Sequence, residues 1–246
     1  MAAPGPDSAR RRVISVFLIQ GLTGLIVMLW LTWLRHDQTV GILRALGSEG
    51  PILIGIFIVF ATTLALLKFE LTDLVYVSLV ITAYMSMFPI LGGVLSAWIA
   101  VGVSIITRVL ALQQIGPARI ARQDPVTDYT KAFGLFGTYG IPVVVASSVF
   151  EFLGGAAPMT VADTTNAARI AAGGAALVIM NSLLMFWPQR AYGYSIEKIL
   201  SVYIIDGGIS FVSLPYATVV ALSYGVMGWG AVVALGFTGV IANYIA

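Results

Sequence analysis

The sequence contains no cysteine and a single histidine, His36, among its 246 residues. The absence of cysteine excludes disulfides, thiolate metal sites and cysteine nucleophiles. One imidazole cannot supply a multi-histidine metal site or a pair of haem ligands within one chain. Gly-x-Ser-x-Gly, His-Glu-x-x-His and aspartate-rich diphosphate-binding motifs are also missing. The sequence therefore predicts no catalytic residue, no metal and no cofactor.

Charged residues are also scarce. They make up 10% of the chain, against about 25% in a soluble domain, whereas 59% of the residues are hydrophobic. This composition predicts an integral membrane protein whose main partner is the lipid bilayer. The 13 basic and 11 acidic residues nearly balance, so the net charge gives no indication of a nucleic-acid partner.

The apolar residues form eight segments that fit a requirement of about 20 residues per membrane helix. These segments are 13–34, 51–67, 74–89, 92–112, 132–153, 167–187, 199–226 and 230–246. We therefore predict an all-α polytopic membrane bundle of about eight transmembrane helices over residues 13–246, preceded by a cytoplasmic tail over residues 1–12. The Pro/Gly sequence between Phe88 and Gly93 predicts a tight hairpin that joins the third helix to the fourth.

The distribution of lysine and arginine predicts the orientation, because these residues concentrate on the cytoplasmic side. Eight spans place both termini on the same side, and ten basic residues then fall on that side against three on the other. The ten are Arg10, Arg11, Arg12, Lys68, Arg108, Arg119, Arg122, Lys131, Arg190 and Lys198, and the three are Arg35, Arg44 and Arg169. Both termini are therefore predicted to be cytoplasmic.

A weak internal similarity relates residues 78–104 to residues 213–239 in spacing and composition. It suggests a parallel repeat of four helices plus four, over 13–112 and 132–246, with the halves related by an axis along the membrane normal. Small and apolar residues also match by chance in membrane proteins, so this similarity is a hypothesis for the structure to test.

Asp206 is the most informative polar residue, because an ionisable side chain within a span is energetically costly and points to function. It lies in the seventh span beside Gly207 and Gly208, with Pro215 further on, a pattern that can loosen or break a helix. One interpretation makes Asp206 the anchor of a polar cavity that includes Ser210. The other pairs Asp206 with Arg108 or with Lys198 near the inner interface.

Four further positions complete the candidate ligand-binding residues. Glu151 at the end of the fifth span lies four and twelve residues from Ser147 and Tyr139, spacings that predict one helix face and an outward-facing pocket. The alternative makes Glu151 an interfacial group that reaches water. Asn181 lies in the middle of the sixth span, where an amide commonly forms a hydrogen bond to a neighbouring helix.

The arrangement resembles the bacterial membrane-associated sensory domains found before histidine kinase, diguanylate cyclase or HD-GYP output modules. The resemblance rests on the order of the helices and on three features of this sequence. They are Ser78-Leu79 opening a helix that runs into the Pro/Gly hairpin, the sequence Tyr129-Thr130-Lys131-Ala132-Phe133 at the end of a basic loop, and Asn181.

This resemblance implies a multi-pass protein of the bacterial inner membrane that binds a small ligand or responds to a membrane signal. It also implies a cytoplasmic output domain after the last helix, for which we expect the native chain to continue past Ala246, and a homodimer as the working state. Two alternatives remain from the residues themselves. One is a small-molecule transporter or a substrate-binding transporter subunit, and the other is an assembly factor in a membrane complex.

Overall fold

The computed structural model describes residues 6–67, 69–72, 75–77, 80–113, 125–160 and 162–245. Over these ranges the elements are α1 (Pro6–Leu34), α2 (His36–Leu46), α3 (Glu49–Leu66), β1 (Phe69–Thr72), β2 (Val75–Val77), α4 (Val80–Leu91), α5 (Gly93–Leu112), α6 (Pro125–Leu135), a π-helical turn (Phe136–Gly140), α7 (Ile141–Phe152), α8 (Thr164–Ala191), α9 (Ile196–Met227) and α10 (Trp229–Ile245). Lys68, Ser78, Leu79, Arg119 and Arg122 lie outside the described residues.

Six helical segments are long and apolar enough to cross a membrane, which confirms the prediction of a membrane-embedded helical bundle. They are Arg10–Leu34, Glu49–Leu66, Gly93–Leu112, Val126–Phe152, Thr164–Ala191 and Ile196–Met227. Large apolar side chains cover their outer faces, as lipid requires, and Val212 and Trp33 are 80% and 77% exposed. Helix α1 begins at Pro6, so the predicted boundary at Val13 falls inside it.

The third predicted span, 74–89, is wrong. Of its described residues, Val75–Val77 form β2, which pairs with β1 in an antiparallel hairpin, and the helix begins only at Val80. The error has a physical cause, because Val75-Tyr76-Val77 is as apolar as a membrane helix but consists of residues that favour strands. At 12 residues, α4 is ~18 Å long, too short to cross a hydrocarbon core of ~30 Å.

The eighth segment forms α10, a helix of 17 residues.

Helix α4 occupies the centre of the bundle. It contacts α3, α5, α7, α8 and α9, and every residue from Thr82 to Leu91 is buried. Tyr84, Met85, Met87 and Phe88 are each at most 2% exposed. The centre of this bundle is therefore filled by side chains.

The predicted hairpin after α4 is present and has a single connecting residue. Gly92 lies between α4 and α5 with φ +75°, a conformation that favours glycine. A single glycine with positive φ also connects α9 to α10, where Gly228 has φ +66°. Each glycine N–H donates to the carbonyl four residues earlier, at 3.0 and 2.8 Å. The hairpin thus recurs where the internal similarity placed it, whereas α4 and α9 differ in length, and the whole-chain repeat stays a prediction.

The two ends of the bundle are defined by different contacts. At one end, Arg35 at the start of α2 pairs with Glu151 at the end of α7, and Met159 N–H donates to the Pro89 carbonyl at 2.9 Å. We call this the α2 end. At the opposite end, Arg108 of α5 pairs with Asp128 of α6, and we call it the Asp128 end.

Helix α1 packs closely against α6 and the π-turn, and glycines on both contacting segments allow this approach. A Cβ atom added to Gly24 would overlap the backbone of Phe136 and Gly137, and one added to Gly137 would overlap the Gln20 carbonyl. Gly21 and Gly134 likewise face Phe133 and Phe17 closely. Small residues allow this approach, and close packing is the main attraction between helices in lipid.

Helix α9 is continuous from Ile196 to Met227, so the predicted break at Gly207, Gly208 and Pro215 is absent. Both glycines have open space around them and pack against nothing that would bend the helix. A proline inside a membrane helix is tolerated when neighbouring groups satisfy the freed backbone. At 32 residues, α9 is a rod of ~48 Å.

We expect Gly24→Ala to destabilise the protein by about 1–3 kcal/mol, because the added methyl group has only backbone atoms to displace. Thermal unfolding in detergent micelles, followed by tryptophan fluorescence, measures the effect as a lower Tm. The matched control is Gly102→Ala in α5, where the added Cβ meets nothing within 4 Å. Equal melting temperatures for the two variants would show that the α1–α6 contact is not tight.

Candidate functional site

Two of the predicted site residues lie at the α2 end. Glu151 Oε2 accepts from Arg35 Nη1 at 2.8 Å, and Ser147 Oγ donates to Glu151 Oε1 at 3.0 Å. Ser147 has room because Gly93 beside it lacks a side chain. The side chains of Arg35 and Glu151 are 24% and 21% exposed, so this pair connects α7 to the α1–α2 junction at the edge of the bundle.

Tyr139 does not join Glu151 and Ser147, because eight residues of helix place it ~12 Å from Ser147 along the axis. It belongs to the π-turn and packs edge-on against Tyr84, with ring centroids 6.0 Å apart. In the described structure Tyr139 is therefore not adjacent to the other two residues of the predicted pocket, and it interacts electrostatically with Asp206 and Arg108 instead.

The π-turn that carries Tyr139 has a local cause in the sequence. Pro142 lies two residues after the turn and has no N–H to donate to the carbonyl of Thr138, four residues before it. The turn widens to an i→i+5 pattern from Phe136 to Gly140, where Gly137 and Gly140 also pack closely against α1. Such turns are frequent at functional sites.

Asp206 lies in a cluster of polar side chains contributed by four segments of the bundle. Arg108 Nη2 lies 3.6 Å from Asp128 Oδ1, while Tyr139 and Tyr203 interact electrostatically with Asp206. We refer to these five residues, Arg108, Asp128, Tyr139, Tyr203 and Asp206, as the Asp206 cluster.

The predicted pairing of Asp206 with a basic residue is not observed. Arg108 forms its ion pair with Asp128, and Lys198 Nζ lies over the Tyr194 ring at 4.8 Å. Over the described ranges, Asp206 has no cation within ion-pair distance. Arg108 Nε and the Tyr203 hydroxyl are also buried without a hydrogen-bond partner there. Among the described residues, the cluster thus contains a carboxylate without an ion-pair partner and two buried donor groups without a hydrogen-bond partner.

Tyr192, just past the end of α8, interacts electrostatically with Arg108 and Asp128 of the cluster. Lys131 Nζ lies 4.8 Å from the centroid of its ring, a cation–π contact. Partial burial raises the pKa of the Tyr192 phenol to about 12, and the nearby Arg108 opposes that rise. The ring therefore stays neutral at physiological pH.

The remaining two candidates lie outside the Asp206 cluster. Ser210 is buried one turn beyond Asp206 on α9, where its carbonyl accepts from the Ser213 hydroxyl at 2.8 Å. Asn181 is half-buried on α8, and among the described residues it forms no hydrogen bond to a neighbouring helix. The described chain also contains no group of three or more His, Asp or Glu side chains that could hold a metal ion.

Sequence reasoning missed Gln20, a buried amide in α1. Its Nε2 donates to the Leu184 carbonyl of α8. In a regular helix that carbonyl would accept from the N–H of residue 188, but residue 188 is a proline and has no N–H. An unsatisfied carbonyl at membrane depth is costly, so Gln20 replaces the hydrogen bond that the proline removes. The signal in the sequence was a proline near the end of one span and a lone amide in another.

The Gln20 contact can be tested with a double-mutant cycle. We expect Gln20→Leu to lower stability by about 1–2 kcal/mol, because the Leu184 carbonyl loses its partner. In the Pro188→Ala background the loss should be smaller, since the alanine introduced there has an N–H that can bond to the Leu184 carbonyl. Unfolding midpoints of the four proteins in the same detergent give the coupling energy, and identical losses in both backgrounds would contradict this assignment.

Comparison of the chain with protein-family models, with curated proteins and with solved structures gives no match. The fold and the site define only the class of protein, which is an integral membrane helical bundle with a packed centre and a polar cluster around Asp206.

Proposed function

We propose that this chain is the sensory input domain of a bacterial signalling protein in the inner membrane. The observation that supports the proposal most strongly is Asp206, a carboxylate within the bundle with no cation paired to it among the described residues. A polar or cationic small ligand that supplies the missing partner binds the arrangement of helices that exposes Asp206. Such a ligand shifts the population toward that arrangement.

The two proposed arrangements of the helices differ in the acidic residue with which Arg108 pairs. It pairs with Asp128 at 3.6 Å, a loose distance, and its Nε is left without a partner. Tyr139 interacts electrostatically with both Arg108 and Asp206. In the proposed mechanism Arg108 exchanges Asp128 for Asp206, and α9 moves relative to α5 and α6 as this exchange occurs.

The continuity of α9 suits this mechanism. A rod of 32 residues moves as a unit, so a shift at Asp206 reaches both of its ends. By resemblance, the signal continues through the last helix to a histidine kinase, diguanylate cyclase or HD-GYP module, with the working protein a homodimer.

The charge distribution supports a cytoplasmic location for the Asp128 end. Seven basic residues among those described lie toward that end and three toward the α2 end. The seven are Arg10, Arg11, Arg12, Arg108, Lys131, Arg190 and Lys198, and the three are Arg35, Arg44 and Arg169. This asymmetry is the one that orients membrane proteins, and it supports the proposal that α1 starts in the cytoplasm.

Transport has less support. That alternative depended in part on a broken seventh span, and α9 is continuous. It also needs a pathway for the substrate, and the central helix α4 is packed on all sides. The reading frame after Ala246 separates the two functions: an in-frame kinase, cyclase or phosphodiesterase domain supports signalling, and a stop codon beside a gene for a transport ATPase supports transport.

The proposed exchange of Arg108 between Asp128 and Asp206 is tested by comparing the α5–α9 distance in two variants, which should change in opposite directions. Because the chain has no cysteine, spin labels at Leu200→Cys on α9 and Val109→Cys on α5 report one distance between two exposed positions. Asp206→Asn should favour the arrangement with Arg108 on Asp128, and Asp128→Asn the arrangement with Arg108 on Asp206. Pulsed electron-electron resonance in nanodiscs should therefore show the distance distribution moving in opposite directions.

The control for this experiment is Glu197→Gln, which removes an exposed carboxylate from the first turn of the same helix. It should leave the distribution unchanged. If Asp206→Asn and Asp128→Asn give the same distribution as the control, Arg108 does not exchange partners and the proposed mechanism fails.

A further inference from the structure

Basic and aromatic side chains meet at the turn between α8 and α9, at the Asp128 end of the bundle. Lys198 Nζ lies 4.8 Å from the centre of the Tyr194 ring, and Lys131 Nζ of α6 lies 4.8 Å from the centre of the Tyr192 ring. The two rings are neighbours, with centroids 6.4 Å apart. Arg190 Nη1 donates to the Tyr194 carbonyl at 2.7 Å. We refer to these five residues, Lys131, Arg190, Tyr192, Tyr194 and Lys198, as the basic–tyrosine cluster.

The contacts within the cluster do not cancel its positive charge. An aromatic ring attracts an ammonium group but carries no net charge, and the same is true of a carbonyl oxygen that accepts from a guanidinium. Over the described ranges, neither Arg190 nor Lys198 has a carboxylate within ion-pair distance. A guanidinium has five N–H donors, so Arg190 can bind an anion while it holds the Tyr194 carbonyl.

The start of α1 brings further positive charge beside the cluster. Phe17 packs edge-on against Tyr192, with ring centroids 6.4 Å apart, so α1 runs next to the turn. Arg10–Arg12, up to two turns earlier on the same helix, are all exposed. The start of α1 and the α8–α9 turn contribute only Asp7 and Glu197 as acidic residues. This surface therefore carries a net positive charge.

Two of the basic residues at the α2 end are instead engaged within the protein. Arg35 pairs with Glu151 at 2.8 Å. Arg169 donates to the Leu153 carbonyl at 2.8 Å and to Asn166 Oδ1 at 3.0 Å. The two ends of the bundle thus differ in the positive charge that they offer to a ligand.

The outer face of α8 shows that the cluster lies at the level of the lipid headgroups. Ile179 and Leu183 are exposed on successive turns of this face, and Trp187 follows on the next turn. Aliphatic side chains face the acyl region, whereas tryptophan concentrates at the boundary with the headgroups. Arg190 comes less than one turn after Trp187. At 28 residues, α8 is ~42 Å long and extends beyond a hydrocarbon core of ~30 Å.

We propose that the basic–tyrosine cluster binds the phosphate of an anionic phospholipid, such as phosphatidylglycerol, in the leaflet at the Asp128 end. Arg190 and Lys198 contact the phosphate, and the two tyrosine rings lie against the glycerol region. Basic residues grouped at the ends of membrane helices attract anionic lipids in this way. A zwitterionic headgroup binds less well, because the same cations repel its ammonium group. The site does not rest on the proposed sensory function.

Native mass spectrometry tests the site. The full chain, delipidated in detergent, is titrated with phosphatidylglycerol and separately with phosphatidylethanolamine that has the same acyl chains. Phosphatidylglycerol should bind more tightly. Lys198→Gln should weaken its binding about fivefold, the increment expected for one basic residue at a membrane surface. Adding Arg190→Gln should weaken it further, and neither change should affect phosphatidylethanolamine.

Arg44→Gln is the matched control, because it removes an exposed positive charge at the α2 end. It should leave phosphatidylglycerol binding unchanged, as should Lys198→Arg, which keeps the charge. The single Lys198→Gln variant keeps the test valid if the double variant does not fold. Wild-type affinity in Lys198→Gln, or an equal loss in Arg44→Gln, would overturn the proposal. So would displacement of phosphatidylglycerol by inorganic phosphate, since it would identify a site for a soluble anion.

Discussion

Lipid offers no hydrogen bonds to a peptide group, and that constraint explains most of this structure. The long helices satisfy their own backbones along nearly their whole length. Where one cannot, another part of the chain compensates: Gln20 donates to the carbonyl that Pro188 leaves free, and a π-turn forms ahead of Pro142. The short helix α4 is placed where five other helices surround it.

Close approach of helices is the second requirement, because packing replaces the hydrophobic effect as the attraction between helices in lipid. Glycines serve it in two ways. Gly24 and Gly137 let α1 and the π-turn meet backbone to backbone, and Gly92 and Gly228 reverse the chain within a single residue. The same π-turn also carries Tyr139, which interacts electrostatically with Arg108 and Asp206. Packing and the candidate site therefore depend on the same residues.

The sequence alone predicts the six long spans, because length and hydropathy are properties of each segment by itself. It also locates Asp206 and the turn at Gly92. It fails for 74–89, where hydropathy cannot tell a strand of Val75-Tyr76-Val77 from part of a helix. It also fails wherever the partner is distant in the chain, since neither the Arg108–Asp128 pair nor the contact of Gly24 with Gly137 has a local signal. Asp206 lacks the ion pair expected of it for the same reason: Arg108 had a second acidic neighbour.

The central claim of this account is that the middle of the bundle is a packed helix and not an aqueous pathway. Ser86 on α4 is 0% exposed, and Ser→Cys is a small change in a chain without other cysteines. A water-soluble, membrane-impermeant thiol reagent should label Ser201→Cys, which is exposed on α9, and should leave Ser86→Cys unmodified from both sides of a sealed proteoliposome. Rapid labelling of Ser86→Cys from either side would show that water reaches α4 and would contradict the account.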